Sequence, residues 1–135
     1  MPSAETLERF IATVEANLHV EAIERHYAEH ATMQENDAAP RAGRETLVAN
    51  ERAVMARALG VRSRCVRPVF VEGDRVVIRW QFHFDWPDGG TTDMDELAYQ
   101  RWEGDRIVEE RFYYDPSQRE QGLASPPSAS ASAAL

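Results

Sequence analysis

Between Arg75 and Trp86 the sequence RVVIRWQFHFDW alternates without interruption: Val76, Ile78, Trp80, Phe82, Phe84 and Trp86 on one side, Val77, Arg79, Gln81, His83 and Asp85 on the other. Side chains of a strand point alternately to opposite faces, so this period predicts a long strand with one apolar and one polar face. Six large apolar side chains on one face must be covered by other elements. Pro87-Asp88-Gly89-Gly90 reads as a hairpin loop, Thr91 to Trp102 as the returning strand, Glu103-Gly104-Asp105 as a second turn and Arg106 to Tyr114 as the last strand. Upstream, Val61 to Glu72 is extended and stops at the turn signal Gly73-Asp74. Long strands joined by tight turns predict an antiparallel sheet.

The cover is supplied by the first half of the chain. Leu7, Phe10, Ile11, Val14 and Leu18 follow one helical face, with Ser3 placed as an N-cap and Glu5 in the first turn. After a break at Asn17-Leu18-His19, the positions Val20, Ile23 and Tyr27 predict a second, shorter helix. Ala31 to Glu35 reads as a short extended piece, broken at Asn36-Asp37 and Pro40 before a helix restarts after Gly43. That third helix carries Leu47, Glu51, Val54, Met55 and Ala58 on one stripe and stops at Gly60; Glu51 interrupts the stripe and reads as a boundary residue. The order ααβαββββ predicts an α+β fold with three helices on one face of the sheet. Glu35 sits where a strand gives way to a loop, a place where functional side chains concentrate.

A chain of 135 residues that is 43% hydrophobic suits one domain with a real core. With no long apolar run and no secretory pattern it reads as soluble and cytoplasmic. The formal charge of -8 argues against nucleic-acid binding, which needs a basic face. The single cysteine, Cys65, excludes an internal disulfide and a zinc knuckle. His19, His26 and His30 lack the spacing of a metal site, so no metal and no cofactor are expected. After Pro116 the composition shifts to Ser, Ala and Pro, which predicts a domain over 1–116 and a disordered tail over 117–135.

The strings YAEHATMQEN followed by GRE, then ELAYQRWEGDRI, then RFYYDP, together with the element order, resemble the nuclear-transport-factor-2-like (NTF2-like) superfamily over residues 5 to 115. Within it, the SnoaL-like polyketide cyclases and the ketosteroid isomerases are the most similar. The resemblance implies a cone-shaped α+β fold with a central pocket. Isomerases of this type carry a tyrosine at the end of the second helix and, eight positions on, the general base; Tyr27 and Glu35 fall at those places. Their oxyanion donors fall on Phe10 and Ala98, neither of which can donate, so steroid isomerisation in its family form is not expected. The resemblance also orients the sheet. Ile78, Trp80, Phe82, Phe84, Trp86, Met94, Glu96, Ala98, Gln100, Glu110, Phe112 and Tyr114 would face inward, and Arg79, His83, Tyr99, Arg101, Arg111 and Tyr113 outward. Carboxyl groups crowded into such an aromatic cone would resist ionisation.

The activity this implies is proton abstraction beside a carbonyl of a small hydrophobic substrate. Glu35 would be the base, with Asp115 near the end of the last strand as the alternative, and Tyr27 would polarise the substrate. Trp80, Phe82, Trp86, Glu96, Glu110, Phe112 and Tyr114 would line the pocket. Two other readings stand beside it. One is a limonene-type epoxide hydrolase, for which Arg79 and Arg101 are available but face outward. The other is a non-catalytic ligand-binding module. Glu35 salt-bridged to Arg41 would favour the module, and an unpaired, buried Glu35 the enzyme. The outward face, with Val77, Leu97, Tyr99 and Tyr113 among Arg79, Arg101, Glu109 and Arg111, suits a homodimer, and relatives commonly pair through it.

Overall fold

The computed structural model describes residues 1–120. Its elements are α1 (Ala4–Glu15), α2 (His19–His26), β1 (Tyr27–Glu35), β2 (Arg41–Ala42), α3 (Arg44–Arg57), β3 (Gly60–Glu72), β4 (Arg75–Asp85), β5 (Thr91–Glu103), β6 (Arg106–Tyr113) and a 3-10 turn (Pro116–Glu120). The Ser3 hydroxyl accepts from the Thr6 N–H at 3.0 Å and caps α1 as its sequence position predicts. Asn17, at φ 66, takes the left-handed conformation that breaks α1 from α2. Gly43, at φ 93, turns the chain into α3 in a conformation that a side chain would strain.

One six-stranded sheet runs in the order β2-β1-β6-β5-β4-β3. The β3–β6 meander is antiparallel, as its turns require, but β1 pairs with β6 in parallel, Met33 opposite Glu110 and Glu35 opposite Phe112. The sheet is therefore mixed rather than wholly antiparallel. No hairpin ties β1 to β6; β2, α3 and strands β3–β5 intervene, so turn chemistry does not set their relative direction. Strand β1 also begins at Tyr27, not Ala31. Tyr27 leaves the helix in an extended conformation (φ -101, ψ 143) and is buried as the first strand residue, not as the last residue of a helical face.

Burial alternates along β4 and β5 in the register the sequence predicts: Val76, Ile78, Trp80, Phe82 and Phe84 are buried, as are Thr92, Met94, Glu96, Ala98 and Gln100. Phe10 of α1 lies at the centre of the core, edge-on to Tyr27, Trp80 and Trp102 at 6.2, 6.4 and 5.9 Å between centroids. Trp80 stacks on Phe82 and Phe84 on Trp86 along the same strand. Among the described residues no helix is long and apolar enough to cross a membrane.

The ordered chain runs beyond the boundary expected at 116. Residues 117–120 belong to the 3-10 turn, in which Gln118 and Arg119 reach β5 and Glu35 through polar contacts that an apolar-content argument does not register. The rest of the tail expected to be disordered, 121–135, lies outside the described residues.

Candidate functional site

Alternation along β5 and β6 turns Glu96 and Glu110 to the buried face, the end of β1 delivers Glu35, and α3 delivers Glu51. All four are buried, at 2, 2, 7 and 1% exposure. A buried carboxylate is costly unless its charge is paired or removed, and these four meet that demand in different ways.

Glu35 is paired. Arg41 Nη2 lies 2.7 Å from Oε2, the Tyr114 hydroxyl donates to Oε1 at 2.6 Å, and Arg119 Nη1 stands 3.4 Å from Oε1. Burial first, and then the hydrogen bond to Glu35, push the Tyr114 hydroxyl up to about 12, which keeps it a donor. Glu110 has donors but no cation: it accepts from the Tyr27 hydroxyl and from Gln100 Nε2 at 2.6 Å. The Gln100 amide is held the right way round because Trp102 Nε1 donates to its oxygen at 3.0 Å. Burial outweighs both bonds and lifts Glu110 to about 7.

Among the described residues Glu96 has no donor: both of its oxygens are buried without a hydrogen-bond partner, and so is the indole Nε1 of Trp80, its cross-strand neighbour. Burial, then the charges of Glu35 and Glu110, push the Glu96 carboxyl well above the ordinary range. In its protonated form, which this environment favours, the group can donate through one oxygen and accept through the other.

Glu51 belongs to a network that the sequence did not suggest. His19 Nε2 is 2.7 Å from Ser63 Oγ, whose hydroxyl donates to Asn17 Oδ1 at 2.8 Å, and His19 Nδ1 lies 3.4 Å from Glu51 Oε2, too far for a strong bond. With the Ser63 proton on Asn17, His19 donates from Nε2 and turns its Nδ1 towards Glu51. Burial raises the Glu51 pKa. The expectation of a boundary residue is corrected: Glu51 is wholly internal. The signal was present, since it sits on the apolar stripe of α3, but its partner is 32 residues away.

The remaining expected site residues divide by face. Trp80, Phe82, Trp86 and Phe112 are buried on the inner side with the carboxyl groups, and Tyr114 is half-buried beside Glu35. Tyr27 is inside, its hydroxyl committed to Glu110. Asp115 is exposed and caps the 3-10 turn: the Ser117 N–H donates to Oδ1 at 3.0 Å, and that bond lowers its pKa. Arg79 pairs with Asp95, and Arg101 with Glu109, on the outer face. Neither β4 nor β5 therefore brings an arginine to the carboxyl cluster. His83, also outer, lies between Asp93 at 2.7 Å and Asp85 at 3.0 Å, and the Asp93 bond raises its pKa.

A groove of about 600 Å³ opens beside Arg62, Arg64, His83, Asp93 and Asp95, and a smaller one of about 290 Å³ beside Tyr99, Arg101, Arg111 and Tyr113. Phe82 and Met94 also border the larger one and Glu110 the smaller, and Glu96 lines neither. Among the described residues no three His, Cys, Asp or Glu side chains are grouped so as to hold a metal ion.

With this geometry in place, comparison with known proteins gives a consistent answer. A family model described as SnoaL-like domain matches residues 7–110. No curated protein matches the chain. Among solved structures, a protein described as a SnoaL-like polyketide cyclase from Mesorhizobium loti is 23% identical, with TM-score 0.69 over 82% of this chain and 97% of that one. A Catenulispora acidiphila protein with a ketosteroid isomerase-like fold, solved with trimethylamine, is 19% identical with TM-score 0.72 over 88% and 92%. TerC, co-crystallised with polyporic acid, is 15% identical with TM-score 0.68 over 82% and 89%. At these identities the likeness is one of fold: α+β and NTF2-like.

Proposed function

The chain belongs to the SnoaL-like domain family, and on that premise we propose that it holds a small hydrophobic molecule bearing a carbonyl inside the curve of the sheet, anchored by Glu96 and Trp80. The carrying observation is that three buried polar atoms of one cross-strand pair, Glu96 Oε1 and Oε2 and Trp80 Nε1, have no hydrogen-bond partner among the described residues. Buried polar atoms in native proteins are nearly always bonded, and leaving one unmet costs about 1–3 kcal/mol. A ligand with a carbonyl oxygen and a neighbouring hydroxyl would satisfy all three, and the aromatic row Trp80, Phe82, Phe84 and Trp86 would pack against its apolar body. That TerC was co-crystallised with polyporic acid supports a small organic ligand. Glu35, salt-bridged to Arg41, meets the criterion that favours a binding module over catalysis by Glu35. Asp115, exposed and tied to the turn, offers no internal base.

A second reading, proton transfer beside the ligand carbonyl, is favoured by one observation: Glu110, at about 7, is poised to exchange a proton near neutral pH. In this reading Glu96 donates to the developing enolate oxygen and Glu110 takes the carbon-bound proton. No cofactor is required.

The test uses a melting-temperature screen of neutral ketones, phenols and quinones against the wild type and Glu96→Leu. The variant is expected to be more stable than wild type by about 1–3 kcal/mol without ligand, because unmet polar atoms are removed, and to lose the ligand-induced rise in melting temperature. A variant that binds as well as wild type would refute Glu96 as the anchor. Incubating the best ligand in D2O and following its α-protons by NMR separates the two readings: exchange that Glu110→Gln abolishes marks the enzyme, and its absence the module.

The outer face is proposed as a homodimer surface. Leu97, Tyr99 and Tyr113 are 45, 43 and 45% exposed there, with Arg75 over the Tyr99 ring and Arg111 over Tyr113. Light scattering at micromolar concentration should give twice the chain mass; a monomer mass would count against the pairing.

A further inference from the structure

Strand β6 ends before β5 does. The last paired residues are Leu97 and Tyr113, so at Asp95 the edge of β5 has no strand beside it. A side chain takes the place: the Asp95 N–H donates to Gln118 Oε1 at 2.5 Å, and Gln118 Nε2 donates to the Asp95 carbonyl at 3.2 Å. A primary amide presents the same donor and acceptor as a peptide group, so Gln118 adds one more rung to the ladder. The next residue reaches the other way. Arg119 Nη1 lies 3.4 Å from Glu35 Oε1 and 3.4 Å from the Tyr114 hydroxyl, with the Arg119 side chain only 13% exposed.

The turn thus crosses the end of the sheet from β5 to β1, fastened on both sides. Asp115 sets its direction, bonding the Ser117 N–H through its carboxylate and the Gln118 N–H through its carbonyl, both at 3.0 Å. Glu96, adjacent to Asp95 in the chain, faces inward, and extending the β5–β6 register by one residue sets it beside Tyr114. Arg119 is among the charges that act on Glu96.

We propose that the turn 116–119 is a latch over the Glu96 site: Gln118 clasps β5, Arg119 clasps Glu35, and a ligand reaches Glu96 only when Arg119 leaves Glu35. The latch rests on these contacts, and its role in ligand entry rests on the binding function proposed above. The two clasps share one short turn, so releasing one loosens the other. This coupling separates a latch from two unrelated surface contacts.

Amide hydrogen exchange on the full chain reads it directly, with Asp95 as reporter and Leu97, inside the paired ladder, as control. Gln118→Ala is expected to strip protection from Asp95 and leave Leu97 unchanged. Arg119→Ala is expected to speed Asp95 exchange by about tenfold, the scale of one lost hydrogen bond in a local opening, again without moving Leu97. Unchanged Asp95 exchange in Arg119→Ala, or equal acceleration at both amides, would overturn the latch. In stopped-flow binding of 1-hydroxy-2-acetonaphthone, an aromatic ketone with a neighbouring hydroxyl, followed by tryptophan quenching, Arg119→Ala should associate faster than wild type; equal association rates would overturn the gating. If this ketone binds none of the proteins while Arg119→Ala still frees Asp95, the latch stands and the ligand reading falls.

Discussion

Raising the pH from about 4.5 to 7 is expected to weaken the fold by about 3 kcal/mol through Glu110 alone, at about 1.4 kcal/mol per unit between its unfolded value and about 7. A carboxyl whose folded pKa is raised binds more protons folded than unfolded, so its stabilising contribution is complete below the unfolded value and declines up to the folded one. Glu96 and Glu51, both wholly buried and raised, act in the same direction. So does His83, held protonated by Asp93 and Asp85, whose contribution fades as the pH passes its folded pKa. Opposing them are exposed carboxylates held low, Glu8 by Arg67, Asp95 by Arg79 and Asp115 by Ser117, whose contributions disappear as the pH falls through their folded values. His26, lowered mainly by burial, also favours higher pH. Solvent screens the exposed groups, so the internal carboxyls set the slope and the stability maximum lies near pH 5. Urea unfolding at intervals from pH 4 to 8 measures this, with Glu110→Gln expected to flatten the curve between 5 and 7. Stability that rises over that interval would show that the internal carboxyls are not protonated in the fold.

How much of this could be read from the sequence depends on the range of the interaction. The alternation of β4 has only two possible faces and one of them carries six large apolar residues, so the inward placement of Trp80 followed at once, whereas that of Glu96 and Glu110 on β5 and β6 came from the family resemblance; a one-residue slip would have exposed them. The hairpins fixed the β3–β6 meander for the same local reason. The direction of β1 was not legible because no short turn ties it to β6. Nor was the His19–Ser63–Glu51 network, whose members come from α2, β3 and α3. Arg41 as a partner for Glu35 was within reach, six residues away across one loop. Arg119 was not: it lies 84 residues on, in a stretch whose Ser, Ala and Pro content argues for disorder while its polar side chains dock.

Glu35 is where that difference has its largest consequence. An unpaired, buried Glu35 would be replaced by glutamine at no cost or with a gain, since the penalty for burying a charge would vanish. In the fold the carboxylate is the shared partner of Arg41, Arg119 and the Tyr114 hydroxyl, and the two arginine side chains are only 19 and 13% exposed. Removing it takes a shared carboxylate away from two largely buried guanidinium groups, so Glu35→Ala is expected to lose about 3–5 kcal/mol, the range for breaking one side of a buried pair. Glu35→Gln keeps an acceptor for Tyr114 but removes the charge, and its loss should be smaller, about 2 kcal/mol. Arg41→Met alone should also destabilise. In the double variant Glu35→Gln, Arg41→Met, the combined loss should fall short of the sum by about 1–3 kcal/mol, because the two residues share one interaction. Urea unfolding supplies all four corners of the cycle, and repeating it in 1 M salt, where exposed pairs are screened over roughly 3 Å, should leave most of the coupling intact. A cycle that sums to zero, with Glu35→Gln as stable as wild type, would return Glu35 to the role of an internal base.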